Sequence, residues 1–183
     1  MTTWLRTLAV LGVIGLLLPI HGYGRSSRQI QLVDRILAVV EGQVILLTDV
    51  QAFLYLGLLP RPEEPDPIPE ALTALIERRL VLEEAARFPV DAPPASAVMS
   101  RMTQLVDGVG GDETATQVLA EVGYTVDDLR QVVLDDLRVE RYLVRRFPVG
   151  ESASEAQYQV RQRLIDNWVS SLLVRARVMR VSR

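Results

Sequence analysis

The 183-residue chain has no cysteine and no lysine, and its one histidine is His21. All 20 of its basic side chains are arginines, which is read as the codon bias of a GC-rich genome. Beyond His21 the thiolate, the imidazole and the amine are therefore missing. Ser-His-Asp, Cys-His and Ser-Lys arrangements, Schiff bases, thiolate or imidazole zinc sites and lysine-dependent phosphate loops each need one of those groups. Carboxylates, hydroxyls and guanidinium groups remain. No catalytic set, metal site or cofactor is expected. Without cysteine an oxidising compartment adds no disulfide, so packing must supply all the stability.

The first residues place one charge, Arg6, before an apolar run from Leu8 to Ile20 and a small-residue exit, HGYGRSS. That order predicts a cleavable secretory signal peptide over residues 1–24, with Gly22 and Gly24 at the small positions before the cut. A membrane anchor is the competing reading, but the run has 13 residues, and Pro19 and His21 interrupt its end. A span needs roughly 20. No cysteine follows for lipid attachment, and no later apolar stretch reaches spanning length. Without residues 1–24, 159 residues remain, with 19 arginines against 23 acidic side chains and a net charge of −4. A chain of that length builds one domain, burying roughly two-thirds of its unfolded surface. Its mild acidity gives no electrostatic reason to bind nucleic acid.

The elements follow from periodicity and punctuation. VDRILAVV, then Glu41-Gly42, then QVILL reads as a β-hairpin. Thr48 with Gln51 three residues on predicts a capped helix over about 49–58. PRPEEPDPIP (60–69) has five prolines and three acids, which forbids helix and ladder, so a loop is expected. Leu72, Leu75, Ile76, Leu80 and Leu82 then recur at helical spacing to about Arg87. A third helix starts near Pro94, carries Val98, Met99, Met102 and Leu105, and stops at Gly108, Gly110 and Gly111. Asp112 can cap a short fourth helix that Gly123 ends. Thr125 with Asp128 opens the longest helix, to about Arg146, with Leu129, Val133 and Leu137 on a wide apolar face. Ser152 or Ser154 caps a last helix through Gln157, Val160, Leu164, Trp168 and Leu172. Arg175 to Val181 reads as a strand, and since neither it nor the hairpin is stable alone, the two are expected to share one small sheet. The expected fold is mainly α: about six helices with a small β-sheet formed by the N-terminal hairpin and the C-terminal strand.

This order resembles a known family. VDRILAVVEGQVILLTDVQ resembles the opening of SurA-type periplasmic chaperones, and ALTALIERRLVLEEAARFPV looks like their second helix and its exit. GYTVDDLRQVVLDDLRVERYLVRRF is similar to their long helix, and WVSSLLVRARVMRV to the closing helix and strand. The likeness covers Val33 to Val181, so residues 25–183 are expected to form a single helical domain like that family's N-terminal module. In the full-length family, parvulin-type prolyl isomerase domains sit between the long and the closing helix. Here only FPVGES fills that gap. The resemblance therefore implies a periplasmic module that binds unfolded or extended segments of exported and outer-membrane proteins, with isomerase activity not expected. A dedicated structural or assembly partner in the cell envelope is the alternative.

For contacts with such segments the candidates are Phe53, Tyr55, Leu56, Met99 and Met102. The first three lie on a helix that is apolar nearly all round, more than a small domain is expected to cover, so some of that surface is expected to be exposed, covered by the proline-rich loop or used in binding. Met99 and Met102 have flexible thioethers suited to varied partners, although methionines at helical spacing more often fill a core. Asp135, Asp136 and Glu140, interleaved with Arg138, Arg141 and Arg145, read as a solvated face of i,i+3 and i,i+4 pairs. Trp168 reads as the anchor of the last helix.

Overall fold

The computed structural model describes residues 34–59, 65–88, 91–150 and 152–181. The expected signal peptide, residues 1–24, and the centre of the proline-rich segment, 60–64, lie outside the described residues. Among those described, the elements run β1 (Ile36–Val40), β2 (Gln43–Leu46), α1 (Leu47–Tyr55), α2 (Ile68–Ala86), α3 (Ala95–Gly108), α4 (Asp112–Glu121), α5 (Val126–Arg146), α6 (Glu155–Arg175) and β3 (Val178–Arg180). The fold is mainly helical with one small antiparallel sheet, as the sequence predicts.

Glu41 and Gly42 turn the hairpin with φ of +48° and +87°. Two left-handed residues make the turn whose twist matches that of the paired strands. The strand order is β2-β1-β3, so the C-terminal strand closes on the first one. Val178, Met179 and Arg180 stand opposite Val40, Val39 and Ala38. At the end of that ladder the Arg177 backbone N–H donates to Glu41 Oε1 at 2.6 Å, and the Glu41 backbone N–H donates to the Arg177 carbonyl at 3.1 Å.

Three helix starts differ from the sequence expectation, those of α1, α2 and α4, the last because Gly111 rather than Asp112 takes the cap position. Thr48 does not cap α1, because β2 runs straight into the helix and the cap position falls on Leu46. Asp49 Oδ2 accepts from the Leu46 backbone N–H at 2.8 Å, while the Thr48 hydroxyl donates to the Asp34 carboxylate. The capping box of Thr125 with Asp128 on α5 forms as expected, and of the two serines offered for α6 it is Ser154 that takes the cap position, with Gln157 three residues on. Helix α2 begins two residues earlier than predicted, since Pro67 and Pro69 fit the cap and first turn, where an amide would have no partner anyway.

Two apolar clusters hold the body together. The first joins the sheet to α2 and the end of α6 through Ala38, Val40, Ile45, Phe53, Ile76 and Leu172. The second joins α3, α4 and α5 through Val98, Leu119, Val122, Leu129 and Val133. Helix α1 belongs to both: Val50, Phe53 and Leu54 face the first, Ala52 and Leu56 the second. That is why it is apolar nearly all round. A helix buried on two sides needs no polar stripe of ordinary width.

Candidate functional site

The five expected contact residues separate into core and surface. Phe53 and Leu56 are 5% and 2% exposed and offer no surface to a partner, because the two clusters between them consume both apolar faces of α1. The Arg78 guanidinium covers what remains of the Phe53 ring, 4.9 Å from its centroid. Tyr55, at 38%, is the large side chain of α1 that reaches solvent.

Met99 and Met102 behave otherwise. Helix α3 buries a single residue, Val98, so its neighbouring face stays open. Met102 is half-buried against the second cluster, and Met99 is 58% exposed. Both line a groove of about 390 Å³ together with Val106 and the charged residues Asp107, Asp112 and Arg130. Of the expected residues this pair shares one concave surface, and Tyr55 is not on it.

A second groove, of about 410 Å³, lies where the α5–α6 turn meets α6. The spacing of Val160 and Leu164 reads as a core-facing stripe, yet they are 51% and 52% exposed. The packed part of that helix begins only near Ile165 and continues through Trp168 and Leu172. Trp168 does anchor α6, against Tyr142 and Phe147 with ring centroids 5.8 and 5.6 Å away. The turn Phe147-Pro148-Val149 forms the other wall of the groove. The stripe itself was visible in the sequence; that Val160 and Leu164 are left half exposed by the described residues was not.

The charged row on α5 is also not simply a solvated face. Asp136 reaches across to α2, where Arg78 Nη2 lies 2.6 Å away, and Arg78 Nη2 also donates to the Val132 carbonyl at 3.3 Å. Burial pushes the Asp136 carboxyl above the usual carboxylate range, against the opposite pull of Arg78. Glu140 bridges to Arg101 of α3 at 2.8 Å, and Arg141 holds the carbonyls of Asp91 and Ala92 before that helix. Asp135 with Arg138 is the local pair of the expected kind. These contacts fasten α5 to its neighbours.

Two further clefts carry charged side chains. One, of about 100 Å³ beside α1, holds Asp49, Tyr124, Arg78 and Arg79. The Tyr124 hydroxyl donates to Asp49 Oδ1 at 2.8 Å, and burial with the adjacent carboxylate pushes its ionisation far up, so it stays a neutral donor. Arg79 is held by Gln43 at 2.6 Å. The other, of about 210 Å³, gathers Glu41, Glu83 and Glu84 with Arg87 and Arg175. Burial raises the Glu83 carboxyl and the neighbouring Glu41 adds to it. Among the described residues no group of three or more acidic side chains has a geometry that holds a metal ion, and no helix is long and apolar enough to cross a membrane. No protein-family model matches the chain, and no curated protein matches it.

Proposed function

We propose that this chain is a chaperone-like module that binds unfolded or extended segments of exported and outer-membrane proteins, in a periplasm and without catalysis. The observation that carries the reading is the groove at Met99 and Met102, a concavity of about 390 Å³ with a thioether left 58% exposed. Thioethers adapt to differently shaped side chains, which suits a surface with many clients. Its size falls in the range of roughly 300–1,000 Å³ common for ligand clefts. The edges β2 and β3, unpaired on their outer sides among the described residues, add a place where an extended segment can pair by main-chain hydrogen bonds. The resemblance to SurA-type chaperones supplies the compartment and the client class.

The test is light scattering of an unfolded outer-membrane protein diluted from denaturant. An excess of the chain is expected to suppress aggregation, and Met99→Glu, which alters an exposed position, to reduce that suppression at least about threefold by charging an apolar contact. Unchanged scattering at excess chain refutes the reading. Suppression confined to one envelope protein points to the dedicated partner instead.

A further inference from the structure

The groove at the α5–α6 turn differs from the methionine groove in its charge. It contains Arg146 and Arg161, and among the described residues no carboxylate lines it. Arg161 spends its Nε on the Phe147 carbonyl at 2.9 Å, which holds the side chain against the turn. Arg146 stacks on Trp168 and Phe147, 4.9 and 5.5 Å from the ring centroids. Neither has an ion-pair partner among the described residues, whereas Arg78, Arg101, Arg138 and Arg177 all do. Gln157, Val160, Arg161 and Leu164 recur at i, i+3, i+4 and i+7, a single stripe along two turns of α6. At 1.5 Å per residue such a stripe is about 10 Å long, the span of roughly three residues of extended chain.

We propose that this groove binds an extended polypeptide segment in which an internal Asp or Glu is flanked by aliphatic or aromatic side chains. Val160, Leu164 and Phe147 take the apolar side chains, and the two guanidinium groups take the carboxylate. Both arginines are held in place before binding, so less side-chain freedom is lost when the acid arrives. The stripe is open along the helix, which suits a segment passing through rather than a chain end. The inference rests on the polypeptide-binding reading and adds to it a second site with its own preference.

The experiment measures fluorescence anisotropy of two labelled peptides with the full chain, one centred on Leu-Val-Glu-Val-Phe and the other on Leu-Val-Gln-Val-Phe. The Glu peptide is expected to bind at least about fivefold more tightly at low salt, with the gap closing near about 0.5 M NaCl as the charges are screened. Arg161→Gln and Arg146→Gln should each shrink the gap about threefold. Circular dichroism checks folding, and two arginine variants are used because Arg161→Gln also loses a bond to the turn. Equal binding of the two peptides, or a gap unchanged in both variants, overturns the proposal. So does binding to phosphatidylglycerol vesicles with no binding to either peptide. If the gap is absent while aggregation is still suppressed, this groove is misassigned and the chaperone reading stands. A gap lost in the arginine variants without suppression keeps the groove and removes that reading.

Discussion

At Arg78 one guanidinium meets three groups from two other helices: the Asp136 carboxylate, the Val132 carbonyl and the Phe53 ring. The two charged side chains are 17% and 25% exposed, so desolvation weighs heavily in the balance. The carboxyl of Asp136 stands above its ordinary value, 3.8, with burial as the larger cause and Arg78 opposing it. A raised acid binds its proton more tightly in the fold than in the unfolded chain. Its contribution to stability therefore falls as pH rises from about 3.8 through the folded value. Asp136→Asn should flatten that part of a urea stability curve measured against pH. Arg78→Met is expected to cost about 2–3 kcal/mol at neutral pH, because it strands a half-buried carboxylate, and to recover part of that loss when acid protonates Asp136. A loss that does not change with pH would refute the account.

Among the elements, α5 shows most directly how a short motif sets a boundary. The Thr125 backbone N–H donates to Asp128 Oδ2 at 2.7 Å, and the Asp128 backbone N–H donates back to the Thr125 hydroxyl at 3.1 Å. Both contacts are local in sequence, which is why the box was legible there. Thr125→Ala is expected to cost about 1 kcal/mol, seen as a lower urea midpoint with an unchanged slope. An unchanged midpoint would mean that tertiary contacts alone hold the start of α5. Helix α1 shows the opposite case. Its capping residue could not be read from Thr48 and Gln51, because the boundary is set by the strand that feeds it. Its burial could not be read from its composition either. An apolar surface on all sides is compatible with a binding helix and with a helix packed between two clusters, and only the neighbours distinguish them.

For the whole molecule the decisive contact is the longest in sequence, β3 on β1. The Glu41 carboxylate marks the junction, and the Arg177 backbone amide is the main cause that holds its carboxyl below the usual range. A depressed acid stabilises the fold above its ordinary value of 4.5, and that contribution is lost as pH falls through the folded value. Ending the chain after Ala176 removes the strand, uncovers Val40 and Ala38, and breaks its hydrogen bonds to β1 and Glu41. The expected loss is about 3 kcal/mol, from one buried aliphatic side chain and a few net hydrogen bonds, or a fall in Tm of roughly 6–12 °C. Calorimetry showing an unchanged Tm would mean that the hairpin and helices stand without it.

By itself the sequence determined the order and type of the elements, the turn at Glu41-Gly42, the cap of α5, and the absence of thiol, amine and imidazole after His21. Those features depend on residues within a few positions of one another, so the pattern carries them. The tertiary structure alone decided that Phe53 and Leu56 go to the core, that Met99 and Val160 stay in solvent, and that Asp136 answers to Arg78 rather than to an arginine of its own helix. Burial is a property of what packs against a face. Two apolar stripes with the same spacing, Val160–Leu164 and Trp168–Leu172 of one helix, end in different surroundings because the body of the domain reaches only the second.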